Sequence, residues 1–248
     1  MQYSTFAAID IGSYDVILEI FEISKKQGIR SVDKICHRME LGKDTYTLGK
    51  IRPEMEEELC RVLADFVRIM EGYRVDAYRA MASSAISEAA NSLYVLGKIR
   101  QLTGLSVTVL SNSEQRFLGY KALAAMEDNF NKVIEKGTAI LDLDGGSFQI
   151  SLFDKDALVT TQNIRMGSLR VRERLAGIQS ETEHYEEMVE ELIWNEVSSF
   201  KKMYLKDRKI ENIMLIGDVF TDSVYQNIEE KTTKIISREN FNTWYEKI

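Results

Sequence analysis

Two short turns of aspartate, glycine and serine each follow an apolar, strand-like run. Their members are Asp10, Gly12 and Ser13 in the first turn, and Asp142, Gly145, Gly146 and Ser147 in the second. Glycines leave backbone N–H groups uncovered and a serine hydroxyl adds a donor, so such turns can hold phosphate oxygens. Either turn alone is more often an ordinary hairpin, because short glycine motifs recur in many proteins. The matched pair favours phosphate binding.

The aspartate that opens each turn indicates a second kind of chemistry. A carboxylate repels phosphate directly, but it can hold Mg²⁺, usually through water, or it can position an attacking water molecule. Asp10 and Asp142 are the residues in question. Two such turns facing each other across a cleft would clamp a chain of phosphoryl groups.

The elements that position these turns occur twice along the chain. In the first half we predict strands at 6–11, 16–21, 30–36, 75–81 and 106–110, and helices at 53–73, 92–103 and 113–126, the last capped by Ser111 or Ser113. In the second half we predict strands at 138–143, 148–153, 157–164 and 213–217, and helices at about 181–204 and 238–248. Residues 128–132 are polar and predict a connection. The duplication predicts an α/β protein of two similar domains, at about 1–128 and 134–248.

Composition excludes several classes of function. Lys and Arg number 32 against 39 Asp and Glu, a net charge of −7 that disfavours a surface for coating nucleic acid. The two cysteines, Cys36 and Cys60, are too few for a disulfide framework or a cysteine-rich zinc site. No apolar run reaches the length of a membrane span, and the N-terminus has no secretory signal pattern. We therefore expect a cytoplasmic protein without membrane or nucleic-acid partners.

Five ordered segments carry a family resemblance. They are AAIDIGS at 7–13, MASSAISEA at 81–89, VLSNSEQ at 109–115, ILDLDGGSFQ at 140–149 and IRMGSLR at 164–170. In order and spacing the chain resembles the exopolyphosphatase and guanosine pentaphosphate phosphohydrolase (Ppx/GppA) family, within the superfamily of actin, sugar kinases and the Hsp70 ATPase. The resemblance runs over the whole length.

The resemblance implies two actin-like (ribonuclease H-like) domains with an active cleft between them. It implies hydrolysis, assisted by Mg²⁺, of terminal phosphoanhydride bonds in polyphosphate or pppGpp, and a homodimer by analogy. It assigns phosphate binding to the glycines and serines of both turns, metal binding to Asp10 and Asp142, and catalysis to Asp142 and the pair Glu114 and Gln115.

The chain departs from the family's pattern at the catalytic and phosphate-binding positions. The family's catalytic glutamate aligns with Gln115, whose amide cannot accept a proton at neutral pH. A shift of one residue would make Glu114 the base. The phosphate-binding arginine falls on Ser87, Asp144 replaces a glycine of the second turn, and Gln149 replaces a glutamate. These changes predict impaired hydrolysis, although Arg116 offers a substitute arginine.

Three functional hypotheses follow. The first is a phosphohydrolase of the family, slowed by these replacements. The second is a non-catalytic protein that binds or senses a phosphorylated ligand by closing its two domains. The third, an ATP-using actin-like or sugar-kinase relative, is disfavoured because Gly217 is followed by Asp218 and Val219 instead of glycines. The basic residues Arg165, Arg170, Arg172 and Arg174 with Lys155 form either a solvated helix face or a polyanion track.

Overall fold

Two β-sheets organise the chain in the computed structural model, which describes residues 3–126, 130–177, 184–217 and 237–245. The first sheet has the order β3-β2-β1-β4-β5 and the second the order β8-β7-β6-β9. The strands are β1 (Ser4–Ile11), β2 (Asp15–Ser24), β3 (Gly28–Arg38), β4 (Ala77–Ala82), β5 (Val107–Val109), β6 (Thr138–Leu143), β7 (Phe148–Asp154), β8 (Ala157–Ile164) and β9 (Asn212–Ile216).

Helices follow the strands of both sheets. They are α1 (Leu41–Leu48), α2 (Pro53–Gly72), α3 (Ser84–Ser87), α4 (Ser92–Thr103), α5 (Asn112–Met126), α6 (Phe130–Ile134), α7 (Ser168–Leu175), α8 (Tyr185–Tyr204) and α9 (Arg238–Tyr245). No helix in the described part of the chain is long and apolar enough to cross a membrane.

The two sheets repeat one pairing scheme, which confirms the predicted duplication. β1 lies antiparallel to β2 and parallel to β4, and β6 lies antiparallel to β7 and parallel to β9. Asp10 thus pairs with Ile17 and Met81, and Asp142 pairs with Gln149 and Ile216. Because the registers correspond, the two aspartates occupy equivalent strand ends.

Each sheet has its own apolar core. Alternate residues of β1, Ala7, Ile9 and Ile11, are fully buried against α2 and α4, as the period of two in a strand requires. On the second sheet Phe148, Ile150 and Leu152 pack with Phe200 of α8. The domains predicted at 1–128 and 134–248 stay a prediction, since part of the proposed boundary lies outside the described residues.

Helix α5 connects the two halves of the chain and packs on the second sheet. Leu123 is buried with Phe130, Ile140 and Phe153, and the Tyr120 hydroxyl donates to the Ser151 hydroxyl over 2.5 Å. The start of α5 therefore lies at the end of β6, beside the second turn.

Short helices are where the structure departs from the sequence predictions. α1 and α3 were not predicted, because eight and four residues are too few for a helical period to stand out. The polar connection predicted at 128–132 is wrong for its later part, where α6 begins at Phe130. Phe130 and Ile134 lie four residues apart and bury one face of α6. Residues 181–183 and 246–248, the predicted ends of two helices, lie outside the described residues.

Candidate functional site

The structure brings the two glycine turns into contact. A Cβ atom at Gly145 would lie 3.1 Å from the Cβ of Ser13, and one at Gly146 would overlap the Tyr46 and Ser84 hydroxyl groups. Only glycine permits so close an approach, which explains the residue type at both positions. We call residues 10–15 the first loop and residues 142–147 the second loop.

Several polar groups of the two loops are already hydrogen-bonded inside the protein. The Gly12 N–H donates to the Asp15 carbonyl over 2.9 Å, which closes the first loop. The hydroxyl of Ser147 accepts a bond of 3.3 Å from the Asn163 amide. Ser13 is 1% exposed, and its hydroxyl lies 2.6 Å from that of Tyr46.

Tyr46 is a site residue that the sequence reasoning missed. It extends from α1, and its hydroxyl lies 2.8 Å from the Ser84 hydroxyl as well as bonding Ser13. Burial raises the pKa of the phenol, so the group stays neutral. The sequence signal was weak, because α1 was not predicted and a single tyrosine beside Thr45 has no distinguishing pattern. The Tyr46 hydroxyl thus lies between the two loops.

The strand-end aspartates offer a partial set of metal ligands. Asp10 is exposed and Asp142 is half-buried, and both precede their loops at equivalent positions. No group of three or more His, Cys, Asp or Glu side chains that could hold a metal occurs in the described ranges. Mg²⁺ commonly takes only one or two carboxylates together with water and substrate phosphates. Asp10 and Asp142 fit that mode of binding.

The side chain of Gln115 contacts the second loop at Asp144. The amide Nε2 of Gln115 donates to Oδ2 of Asp144 over 3.3 Å, and the Gly145 N–H donates to Oδ1 over 2.7 Å. Removal from water raises the pKa of the Asp144 carboxyl group, and these two hydrogen bonds partly oppose the shift. The carboxylate therefore occupies an N–H donor of the second loop that could otherwise face phosphate.

Glu114 faces the start of its own helix. Its Oε2 accepts bonds from the backbone N–H and the hydroxyl of Ser111, at 2.8 and 2.7 Å. The Glu114 N–H lies 3.3 Å from the Ser111 hydroxyl, which completes a capping box with Ser111 as the cap. The N–H bond is the main cause that lowers the pKa of Glu114. The neighbours Glu114 and Gln115 thus have separate surroundings.

Three arginines of the predicted basic run, Arg165, Arg170 and Arg172, form ion pairs with the first domain, whereas Arg174 and Lys155 are exposed. Arg170 donates to both oxygens of Glu88, at 2.9 and 3.0 Å, and Arg165 also bonds Glu88. Arg172 donates to both oxygens of Glu40, at 2.6 and 3.0 Å. α7 also packs against α1, where a Cβ atom at Gly42 would lie 3.0 Å from Leu169. These contacts hold the two domains together beside the loops.

Three other residues that the sequence singles out have different surroundings. Ser87 is exposed at the end of α3, next to Glu88. Gln149 is 6% exposed and pairs with Asp142 in the sheet. Arg116 donates to the Thr161 hydroxyl over 3.1 Å and so faces β8.

One cavity lies away from the loops. A cavity of about 380 Å³ opens at the far end of the second sheet, where its lining includes Gly137, Lys155 and Lys209. None of its lining residues belongs to either loop. This cavity is therefore separate from the candidate site.

Comparisons with known proteins give the same family for most of the chain. A sequence profile of the Ppx/GppA phosphatase family matches residues 19–248. The bifunctional 3-dehydroquinate synthase/phosphatase of Fusobacterium nucleatum is 21% identical over 91% of this chain and 34% of its own length. Exopolyphosphatase 1 of Mycobacterium leprae is 25% identical over 58% of this chain and 41% of its own length. The chain thus spans about a third to two fifths of the length of these curated relatives.

A solved structure shows the same fold. The Ppx/GppA family member of Aquifex aeolicus superposes with a TM-score of 0.73 at 21% identity, over 99% of this chain and 79% of that one. Two actin-like α/β domains with a cleft between them are therefore present, as the sequence predicted. With the family profile matched from residue 19 to the last residue, this chain belongs to the Ppx/GppA phosphatase family.

Proposed function

We propose that this chain is a phosphohydrolase of reduced activity, which cleaves terminal phosphoanhydride bonds of polyphosphate or pppGpp. The observation that carries the proposal is the approach of the two loops, with Ser13 against Gly145. A terminal phosphoryl group bound there would meet donors from both domains. Family membership and the name of the exopolyphosphatase relative support this class of substrate.

The roles follow from the chemistry of each group. Gly12, Ser13, Gly145, Gly146 and Ser147 bind phosphate oxygens through backbone N–H groups and hydroxyls. Asp10 and Asp142 hold Mg²⁺, which supplies positive charge to the phosphoryl oxygens when it is bound. Gln115 can orient a water molecule by hydrogen bonding, and Asp142 can assist it.

Reduced activity follows from what these groups lack. An amide at position 115 accepts no proton, and loss of a general base costs about 10²–10⁴-fold in rate. Asp144 places a negative charge in the second loop and occupies its Gly145 N–H. Substrate must also displace the Tyr46 hydroxyl from between the loops.

A second candidate is a protein that binds the same ligands without turnover. The contact between Gln115 and Asp144 favours it, because the carboxylate that bonds Gln115 already accepts two hydrogen bonds. Domain closure onto the ligand would then be the signal.

The two candidates differ in phosphate release. The purified chain is incubated with Mg²⁺ and either inorganic tripolyphosphate or pppGpp, and both ligand binding and free phosphate are measured. Turnover that is saturable and abolished by Asp142→Asn supports the hydrolase. Binding without turnover supports the second candidate, and absence of both contradicts each of them.

Other assignments stay predictions of the sequence and the resemblance. They are the cytoplasmic location, the homodimer and the choice between polyphosphate and pppGpp. The sequence disfavours the ATP-using alternative at Asp218 and Val219, which lie outside the described residues.

A further inference from the structure

We propose that Arg170 is the phosphate-binding arginine of this cleft, supplied by the second domain in place of the one that Ser87 lacks. The inference rests on the proposed function only in that the cleft takes a phosphorylated ligand, whether or not it is hydrolysed. It assigns a role to a residue of α7 that lies outside both loops.

The guanidinium of Arg170 lies where the two loops meet. Its Nε donates to the carbonyl of Gly146 in the second loop over 2.8 Å. Its central carbon lies 3.9 Å from the ring centroid of Tyr46, whose hydroxyl bonds Ser13 in the first loop. One face and one edge of the guanidinium are therefore fixed, and this restricts the side chain to a single orientation.

The same guanidinium lies beside the position of the missing arginine. Its Nη2 bonds both oxygens of Glu88, the residue that follows Ser87 at the end of α3. Arg170 therefore supplies a positive charge on this side of the cleft, although it belongs to the opposite domain. The sequence could not indicate this, since Arg170 and Glu88 are distant along the chain.

The side chains around Glu88 carry a net positive charge that can attract an anion. Arg165 and Arg170 both bond this one carboxylate, so the cluster of three side chains carries one net positive charge. The Arg170 side chain is 19% exposed, so water solvates it only in part. A phosphate oxygen that reached it would replace Glu88 as the partner of Nη2, while Arg165 kept Glu88 paired.

Arginine suits this exchange because its planar fork binds carboxylate and phosphate with the same geometry. The bond to Gly146 and the contact with Tyr46 need not break, since both involve other parts of the guanidinium. Glu88 then competes with the ligand for Arg170. Removal of its charge should therefore strengthen binding, whereas removal of Arg170 should weaken it.

The test is calorimetric titration of the full chain with inorganic tripolyphosphate, and separately with pppGpp, at a fixed salt concentration. We expect Arg170→Gln to weaken binding about 10- to 100-fold, as loss of a charge-assisted pair implies. Arg170→Lys should recover part of the affinity, because it keeps the charge without the fork. Glu88→Gln should bind several times more tightly than the unmodified chain, which a misfolded variant could not do.

Arg172 and Glu40 provide the matched control. They form the equivalent ion pair between the two domains from the same helix, and Arg172 reaches the first loop only over the Tyr14 ring, 5.8 Å from its centroid, whereas Arg170 hydrogen-bonds the second loop. Arg172→Gln and Glu40→Gln should therefore each change affinity by less than about threefold.

Each remaining result is decisive. Unchanged affinity in Arg170→Gln overturns the inference, and so does weaker binding in Glu88→Gln. Equal tightening by Glu40→Gln and Glu88→Gln overturns it too, because release of the domains would then explain both. If the unmodified chain binds neither ligand, the proposed function fails together with the inference.

Discussion

The side-chain amide of Gln115 donates a hydrogen bond to the carboxylate of Asp144, 3.3 Å away, at the edge of the second sheet. Two departures from the family's motifs therefore touch each other. A glutamate at position 115 would face the carboxylate of Asp144, and two like charges at such a distance oppose ionisation. The amide removes that conflict, which gives a physical reason for the two replacements to occur together.

The first prediction concerns stability and pH at Asp144. Its pKa is raised in the folded protein, chiefly by removal from water. The associated stability is complete below the unfolded pKa of about 3.9 and is lost as pH rises through the folded pKa. This group therefore makes the free energy of unfolding lower at neutral pH than below about pH 4.

Asp144→Asn should consequently raise Tm at pH 7, because the amide keeps an acceptor for the Gly145 N–H without a buried charge. The gain should shrink as the pH falls towards about 4. Thermal unfolding followed by circular dichroism between pH 4 and 8 measures it. A variant less stable at pH 7, or a gain that grows in acid, contradicts the assignment.

The second prediction is that Glu114 stabilises the start of α5 and takes no part in hydrolysis. Because Glu114 and Ser111 form the capping box of α5, Ser111→Ala should cost about 1 kcal/mol in the free energy of unfolding. Ser113→Ala is the matched control, since the Ser113 hydroxyl accepts a bond from Arg116 and, within the described residues, takes no part in the capping box. Urea denaturation measures both.

Glu114→Gln should keep whatever phosphate release the unmodified chain has, because glutamine can also close a capping box. The lowered pKa of Glu114 gives stability that is present above the unfolded pKa of about 4.3 and lost as pH falls through the folded pKa. Loss of turnover in Glu114→Gln with unchanged stability would make Glu114 the base instead.

The third prediction tests the closed approach of the loops. A methyl group at Gly146 would overlap the hydroxyl groups of Tyr46 and Ser84, so Gly146→Ala should lower the free energy of unfolding by about 1–3 kcal/mol. Gly97→Ala is the control, because that Cβ meets nothing within 4 Å in α4 and alanine favours a helix by about 1 kcal/mol.

A double-mutant cycle assigns the cause of the loss. Tyr46→Phe removes one of the two hydroxyl groups in the way, so the combination with Gly146→Ala should recover part of the lost stability. If the two effects simply add, the Tyr46 hydroxyl does not lie against Gly146.

The sequence predicted the repeated strand–loop–strand units because their apolar runs and glycine turns are local signals. It also narrowed the cap of α5 to Ser111 or Ser113. Both serines fit the sequence pattern, and the hydrogen bonds of Glu114 identify Ser111 as the cap.

What the sequence could not predict depends on contacts between distant segments. α1 has too few residues for a period to show, so Tyr46 was missed. Arg170 was placed in a basic run, but its partner Glu88 comes from the other domain. The contact between Gln115 and Asp144 likewise requires α5 to pack on the second sheet.

The central claim is that the scaffold is intact and that the pair Gln115 and Asp144 limits hydrolysis. The most direct test is phosphate release from inorganic tripolyphosphate, with Mg²⁺, by the double variant Gln115→Glu with Asp144→Gly. Gln115→Glu alone is the comparison, since its new carboxylate would still face Asp144. We predict a gain of about 10²–10⁴-fold for the double variant, as a restored general base supplies, and a smaller gain for the single one. A double variant that folds and binds tripolyphosphate but releases phosphate no faster than the unmodified chain would contradict the claim.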